Sequence, residues 1–449
     1  IELAMAKRPR SASHQLSRWN LEKDRFLELL GKLIGEAESL QNSPAQGLHP
    51  KEDLASAHVM ALLEPWSTAK GGPLIVERVT FTEGRGNLIV TYPGDGSSGS
   101  VAFVGAHMDV VPANPETWER DPFTLSLEGD RLYGRGTTDC LGHVALLTEV
   151  MLQLGMHKPK LQRTVSAVFI ANEENGAVAG IGVDRLMETG KLDNIKGGPV
   201  LWVDSADSQP CIGTAGSLTW TLRATGKLFH SGLPHKGVNA LELANAAIAE
   251  LQTRFYKRFP QEEREVPYNF STPSTMKPTQ VRCAVGSLNQ LPPWVEISGD
   301  VRLSPFYEVS TLRETLLRWV EEINDNLETA LPTLGPASKY VIDGFRGSLA
   351  LDFADGYLEG IACRLDSEGH RALVNATREV RGEATPYSIG GSLPLVRDLQ
   401  RGGFDVQITG FGLLSTYHAD NEYCLFSDMQ KGFRILVGVI SDLEDAGAD

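Results

Sequence analysis

The sequence contains few cysteines, and they are not grouped. Only five of its 449 residues are cysteine, and no two of them form a C-x-x-C pair. An odd number of widely separated cysteines excludes a disulfide framework and is typical of a reducing compartment. We therefore expect a cytoplasmic location. The five positions are Cys140, Cys211, Cys283, Cys363 and Cys424.

Long apolar runs and an excess of basic residues are also missing. No apolar run approaches the roughly 20 residues that a membrane-spanning helix requires, so we expect no membrane segment. The chain has 57 acidic against 42 basic residues, and its net charge is −15. Because a nucleic-acid-binding surface needs clustered lysine and arginine, this balance argues against a nucleic-acid partner.

Residues 1–20 differ from the rest of the chain in charge. Basic residues and several serines accompany a single acidic residue, Glu2. This composition predicts a flexible basic arm, and an organelle transit segment is the alternative interpretation. Under that alternative, a plastid would be the location.

The length of the chain predicts more than one domain, because 449 residues exceed what a single hydrophobic core usually organises. Short apolar runs alternate with helical patterns over residues 21–214, and this texture returns over residues 356–449. Such alternation is typical of an α/β fold with a doubly wound, mostly parallel sheet. We therefore expect one discontinuous catalytic domain made from these two parts.

Residues 215–355 have a different texture and separate those two parts. The predicted strands and helices follow the order β-α-β-β-α-β, which is the ferredoxin-like arrangement, and the second of these strands is predicted over residues 279–288. Its length is typical of a compact domain. The sequence therefore predicts a ferredoxin-like α+β domain inserted into the α/β domain.

Residues that can bind metals follow three predicted strands of the first part. Functional groups in doubly wound sheets gather at the carboxyl ends of the strands. A histidine with an aspartate two positions further on is typical of a metal ligand and the group that orients it. The residues are His107 and Asp109 after strand 101–106, Glu173 and Glu174 after strand 164–171, and Asp204 after strand 199–203.

Two more candidate ligands lie in loops that contain glycine. Asp139 ends the run G-R-G-T-T-D, and His418 lies in T-Y-H-A-D-N-E-Y. Each candidate also has an ordinary interpretation: Asp139 suits a helix N-cap, and Glu173 and Glu174 suit an exposed loop. Taken together, imidazole and carboxylate ligands without thiolates favour a hydrolytic zinc site over a structural one. A carboxylate shared by two ions would make it a two-metal site.

Several motifs together resemble one family, the zinc-dependent amidohydrolases and exopeptidases. This family includes acetylornithine deacetylase, succinyl-diaminopimelate desuccinylase, aminoacylase and glutamate carboxypeptidase. The finer pattern is most similar to the plant type of acetylornithine deacetylase. The motifs occur in family order from about Leu21 onwards and include G-A-H-M-D-V-V-P, G-R-G-T-T-D-C-L-G, A-N-E-E-N-G, V-D-S-A-D, G-K-L-F-H-S-G, N-Q-L-P and Y-H-A-D-N-E-Y.

The resemblance implies a zinc exopeptidase-like fold and two divalent metal ions, zinc or alternatively cobalt. Glu173 would be the general base, and Asp109 would hold the second nitrogen of His107. The implied metal ligands are His107, Asp139 as the bridging carboxylate, Glu174, Asp204 and His418.

The resemblance also assigns roles to the inserted domain, which would form a homodimer interface. His230 would reach the partner subunit's site and stabilise the tetrahedral oxyanion. Asn289 and Arg302 would bind the carboxylate of the substrate. The segment Gly390, Gly391 and Ser392 would line the pocket.

The predicted activity is therefore removal of an acyl group from a small N-acyl amino acid. The resemblance points to acetyl as the acyl group and to N2-acetylornithine as the substrate, in arginine biosynthesis. A dipeptidase, carboxypeptidase or aminoacylase acting through the same metals is the alternative among enzymes. A dimeric binding protein without activity would have lost a ligand or Glu173, and the sequence retains all of them.

Overall fold

The computed structural model describes residues 12–175, 178–332, 339–354 and 356–446. The chain divides into two compact units. The first comprises Ile1–Ile212, Cys363–Tyr387 and Pro394–Asp449, and the second comprises Gly213–Ala362 and Ser388–Leu393. The second unit thus extends beyond the predicted boundary at residue 355 and includes Gly390, Gly391 and Ser392.

The helices are numbered in chain order. Within the described ranges, none of them combines the length and the apolar character that crossing a membrane requires. They are α1 (Ala12–Leu16), α2 (Lys23–Gly35), α3 (Glu52–Leu63), α4 (Leu141–His157), α5 (Val183–Glu188), α6 (Ala240–Arg258), α7 (Val309–Asp325), α8 (Leu327–Ala330), α9 (Glu368–Arg381), α10 (Val396–Arg401) and α11 (Phe426–Ala446).

The strands are numbered in the same way. They are β1 (Ile75–Thr80), β2 (Gly86–Tyr92), β3 (Ser100–Val104), β4 (Ser126–Glu128), β5 (Arg131–Tyr133), β6 (Thr164–Phe169), β7 (Pro199–Val203), β8 (Cys211–Thr214), β9 (Gly216–Thr225), β10 (Thr275–Cys283), β11 (Trp294–Leu303), β12 (Val341–Ile342), β13 (Phe345–Arg346), β14 (Ser348–Phe353), β15 (Ile361–Ala362), β16 (Tyr387–Ile389), β17 (Asp405–Thr409) and β18 (Tyr423–Leu425).

The first unit is built on a mostly parallel sheet. Its strands follow the order β1-β2-β6-β3-β7-β17. The last four are parallel neighbours, whereas β2 and β1 continue the sheet in antiparallel fashion. Every residue of β3 and of β7 is buried, as expected for parallel strands covered on both faces. All parallel strands therefore deliver their following loops to the same edge.

Helix α4 is buried on all sides, which is unusual for a helix of a globular protein. Every residue from Leu141 to Gly155 is buried. The helix packs against α2, α3 and α11 and contacts strands β2 and β6. A helix that is apolar all round is stable only inside a core. Because Asp139 comes just before this helix, core packing restrains the position of its backbone.

The second unit is a four-stranded antiparallel sheet with two long helices. The strand order β10-β11-β9-β14 and the chain order β-α-β-β-α-β are those of a ferredoxin-like fold. Buried and less buried residues alternate along β9 and β11, and the buried ones pack against α6 and α7. The predicted α/β class with a ferredoxin-like insertion is confirmed.

The predicted flexible arm, residues 1–20, lies only partly in the described chain. Residues 1–11 lie outside the described part of the chain. Residues from Ala12 onwards form α1, in which Leu16 is fully buried and Ser13 donates a hydrogen bond to Asp445 at 2.9 Å. An apolar residue at that position packs this segment against the C-terminal helix α11.

Candidate metal centre

His107 lies at the carboxyl edge of the parallel sheet of the first unit. Beyond the ends of β3 and β6, the main-chain N–H of Ile170 donates to Ala106, and that of Met108 donates to Ile170. This pairing continues the sheet by one bridge between His107 and Ile170. The imidazole of His107 is consequently fully buried at the point where the strands end.

Asp139 lies between two histidines. Its Oδ1 is 2.9 Å from Nε2 of His107, and its Oδ2 is 2.9 Å from Nε2 of His418. Burial alone would raise the pKa of Asp139, but the hydrogen bonds from the two histidines lower it well below its usual value. A carboxylate with one oxygen directed at each of two imidazoles has the arrangement of a bridging ligand.

The remaining predicted ligands join these histidines in two groups. Asp204 lies 3.8 Å from Nε2 of His107, and Glu174 lies 3.3 Å from Nε2 of His418. The structure therefore brings together all five predicted metal ligands, and Asp139 belongs to both groups. Glu173 is also present, with Oε2 3.8 Å from Nε2 of His107.

Burial disfavours the ionised form of three carboxyl groups in this cluster. Burial raises the pKa of Glu173 well above its usual value and raises those of Glu174 and Asp204 to about 7. In the described part of the chain, the buried Oε1 of Glu174 has no hydrogen-bond partner. Converging oxygen and imidazole donors with a buried acceptor that lacks a hydrogen-bond partner fit divalent cations such as zinc.

Asp109 holds both His107 and the two glutamates. The closest acceptor to Nδ1 of His107 is the carbonyl oxygen of Asp109 at 2.9 Å, while the carboxylate is 3.5 Å away. The carboxylate accepts the main-chain N–H groups of Glu173 at 3.1 Å and Glu174 at 3.0 Å. Asp109 thus connects the loop after β3 to the loop after β6.

His230 and Asn289 lie together in the second unit. The main-chain N–H of Ser231 donates to the carbonyl oxygen of Asn289 at 2.8 Å, and residues 230 and 290 form an isolated bridge. Both predicted residues are exposed. They follow β9 and precede β11, at the end of the sheet where Thr225 pairs with Trp294.

Arg302 and the segment 390–392 form a separate group in the same unit. Arg302 and Gly390 line one pocket, and the hydroxyl of Ser392 donates to Oγ of Ser217, the residue opposite Arg302. The carbonyl oxygen of Gly391 accepts the N–H of Ala215 at 2.9 Å. Because Arg302 is at the far end of β11 from Asn289, about 27 Å of strand separates them. Within one chain, these two predicted carboxylate-binding residues are therefore far apart.

Comparison with known sequences identifies the family. A sequence model described as peptidase family M20/M25/M40 matches residues 103–442. The chain belongs to this family. The matched range contains every predicted metal ligand of the M20/M25/M40 centre, from His107 to His418.

Two named relatives and one solved structure are similar to this chain over nearly its whole length. Acetylornithine deacetylase of Arabidopsis thaliana is 54% identical over 95% of this chain and 97% of its own length. Acetylornithine deacetylase of Dictyostelium discoideum is 49% identical over 95% of this chain and 98% of its own length. The crystal structure of human carnosine dipeptidase 1 has the same fold, with a TM-score of 0.67 and 18% identity over 98% of this chain and all of the other.

Several residues that hold the loops of this centre in place through hydrogen bonds were not predicted from the sequence. The side-chain amide of Asn42 donates to Asp109 at 2.7 Å and to Asn172 at 3.0 Å. Arg85 forms a buried two-pronged ion pair with Glu52 and also donates to Asn172. Asn172 has a positive φ of 61° and comes just before Glu173. Only its place in the run A-N-E-E could have indicated such a role.

His143 and Cys140, to which no role is assigned from the sequence, both lie beside the centre. Nε2 of His143 accepts the main-chain N–H of Phe411 at 2.8 Å, and burial lowers the pKa of this imidazole to about 4. Sγ of Cys140 lies within 4.8 Å of ligand atoms of His107 and Asp204. His143 is therefore a neutral core residue that connects the start of α4 to the loop after β17.

Proposed function

We propose that this protein is a metal-dependent amidohydrolase that converts N2-acetylornithine to ornithine and acetate, a reaction of arginine biosynthesis. The observation that carries the proposal is the position of Asp139 between His107 and His418, with Glu173 beside them. The substrate is proposed from the name of the relatives that share about half of their residues with this chain. The geometry of the site and the similarity to these relatives are independent of each other.

Two divalent ions, which we propose to be zinc, would be held in the two ligand groups. His107 and Asp204 would hold one ion, His418 and Glu174 would hold the other, and Asp139 would be shared. Bound divalent ions polarise a carbonyl group and lower the pKa of water. Cobalt has similar ligand preferences and is the alternative ion.

Glu173 is proposed as the general base. Its carboxylate would accept a proton from the attacking water and then donate that proton to the departing α-amino group of ornithine. Neither of its neighbours can replace it in this scheme, because Glu174 and Asp204 are assigned to the ions. Asp109 fixes the backbone of Glu173 through the hydrogen bond described above.

We further propose that the active protein is a homodimer formed through the second unit. One chain separates Asn289 from Arg302 by the length of β11, which exceeds the length of an acylated amino acid. Both residues can bind one substrate only if they come from different subunits, and we propose that Asn289, together with the neighbouring His230, comes from the partner subunit. Within the described residues, β10 pairs on one side only, and residues 277–283 are exposed, including Val281 at 63%. An edge strand with exposed apolar residues suits pairing with a second copy.

A reducing compartment is proposed as the location, either the cytoplasm or a plastid. All five cysteines lie in the described part of the chain, and none of them forms a disulfide. Measuring where a fluorescently labelled full-length protein accumulates would distinguish these compartments.

The activity is tested with a panel of substrates on the metal-loaded protein. The panel contains N2-acetylornithine, other N-acetyl and N-succinyl amino acids, and dipeptides such as carnosine. The proposal expects the highest kcat/KM for N2-acetylornithine. Faster cleavage of dipeptides would assign a peptidase activity instead, and no turnover of any compound with two ions bound would refute hydrolysis.

A further inference from the structure

Glu422 lies in the loop that carries His418, yet its side chain reaches the loop that carries Asp139. It comes four positions after His418 and just before β18, and it is fully buried. β18 pairs with β5, and the main-chain N–H of Gly134 donates to the carbonyl oxygen of Glu422 at 3.1 Å. The two loops therefore run side by side where they leave this small sheet.

The carboxylate of Glu422 accepts four hydrogen bonds from residues 135–139. Oε2 accepts from Nη1 of Arg135 at 2.7 Å and from the N–H of Gly136 at 3.0 Å. Oε1 accepts from the N–H of Thr138 at 2.7 Å and from the N–H of Asp139 at 2.9 Å. Because every donor belongs to the segment that ends at Asp139, this single side chain determines the course of that segment.

A second set of contacts joins the same two segments. The hydroxyl of Thr138 donates to the carbonyl oxygen of Tyr423 at 2.9 Å. It also lies 3.2 Å from the hydroxyl of Thr416, two positions before His418. Among the residues in these contacts, Thr416 precedes His418, and Glu422 and Tyr423 follow it. The other partners all lie in the segment that ends at Asp139.

We propose that Glu422 is a positioning residue of the metal centre, which holds Asp139 and His418 at a fixed separation so that they can share one ion. This inference rests on the proposed metal-dependent function. In the described structure, no hydrogen bond of the Glu422 carboxylate involves a side-chain atom of Asp139 or His418. Glu422 therefore acts through the main chain of Asp139. Residues that orient metal ligands commonly contribute about 10- to 100-fold to metal affinity or activity.

The test compares Glu422→Gln with a matched control, Glu444→Gln. A glutamine at 422 retains one acceptor oxygen and places an NH2 group against two donors. Glu444 is also buried and accepts the main-chain N–H groups of Gln162 and Arg163, but in the described structure none of its hydrogen bonds involves a predicted ligand. Both variants therefore lose a buried carboxylate that accepts main-chain N–H groups.

Three experiments are made on each variant. They give the melting temperature without metal, the cobalt dissociation constants from the visible absorption of cobalt, and kcat and KM with N2-acetylornithine. We expect Glu422→Gln to weaken cobalt binding by about 10- to 100-fold, to alter the cobalt spectrum and to lower kcat more than KM rises. Saturating cobalt should recover part of kcat. Glu444→Gln should lower the melting temperature but bind cobalt like the unmodified protein.

Unchanged cobalt affinity in Glu422→Gln, or an equal loss in both variants, would overturn the inference. If Glu422→Gln does not fold, Glu422→Asp decides, because it keeps the charge but shortens the side chain by one CH2 group and so cannot reach all four donors. Unchanged cobalt affinity in that variant also overturns the inference. If the unmodified protein binds cobalt but hydrolyses no substrate, the proposed function fails. The comparison of cobalt affinities between the variants still tests the role of Glu422.

Discussion

The carboxylate of Asp109 accepts the main-chain N–H of Glu173 at 3.1 Å. The same group accepts the N–H of Glu174 and the side-chain amide of Asn42, so it fixes the loop that carries the proposed base and one ligand. Replacing Asp109 by asparagine leaves one acceptor oxygen and places an NH2 group near another donor. We expect Asp109→Asn to fold and to lower kcat/KM by about 10- to 100-fold, measured by steady-state kinetics at saturating cobalt.

Asp95→Asn is the control for that substitution. Asp95 also accepts a main-chain N–H, from Ser97 at 2.9 Å, but it lies in an exposed loop. Its variant should retain the kcat/KM of the unmodified protein. An equal loss in both variants, or full activity of Asp109→Asn, would contradict the role of Asp109.

Glu173→Gln separates the proposed base from the metal ligands. Glutamine has nearly the same shape, but it cannot accept a proton at neutral pH. We expect kcat to fall by about 10²- to 10⁴-fold, the usual contribution of a general base. Metal content, measured by elemental analysis, should stay close to two ions per chain. Loss of an ion from this variant would instead make Glu173 a ligand, and retained kcat would assign the proton transfer to another group.

Stabilisation by metal should increase with pH. Burial raises the pKa values of Glu174 and Asp204 to about 7, above those of an unfolded chain. In the metal-free protein, the stability that these two groups contribute is fully present below about pH 4 and is lost as pH rises through 7. The low pKa of Asp139 acts in the opposite direction, but only below about pH 4.

Under the proposed function, cobalt would bind the ionised carboxylates and would therefore reverse this loss. We expect the difference in melting temperature between cobalt-loaded and chelator-treated protein to grow steadily from pH 5 to pH 7.5, as measured by differential scanning calorimetry. A difference that does not depend on pH over this range would show that the buried carboxylates are not the ligands.

The first elements of the metal centre could be predicted because one feature of the sequence marks both structure and chemistry. In V-L-W-V-D, the change from apolar residues to Asp204 ends a buried strand and places a carboxylate at the edge of the sheet, and the predicted strand Pro199–Val203 agrees with the structure. Asn42 and Glu422 carry no such signal. Asn42 meets Asp109 across 67 residues of chain, and Glu422 meets Asp139 across 283. Their partners are decided by tertiary packing alone.

Strand β10 shows a different reason for an incomplete prediction. The sequence predicts a strand from Thr279, but it begins at Thr275 and includes Pro278. The pairing with β11 shifts register between Pro278 and Gln280. Proline cannot donate to a sheet, yet an edge strand tolerates it beside a bulge. Because proline is not expected inside a strand, the sequence did not indicate that β10 begins before Pro278. The presence of Pro278 also agrees with the position of β10 at the edge of the sheet.

Mixing two inactive variants tests whether each site is built from two chains. Asn289→Ala and Arg302→Ala homodimers should both have strongly reduced kcat/KM. In a mixed dimer, one site would combine the intact Arg302 of one subunit with the intact Asn289 of its partner, and the other site would lose both. Random exchange makes half of the dimers mixed, so about a quarter of the original activity should return. Mixing Asp139→Asn with Glu173→Gln is the control and should return no activity, because both residues belong to the same cluster around His107 of one chain. Absence of recovery with the first pair, after exchange is verified by mass spectrometry, would show that Asn289 does not act across the dimer.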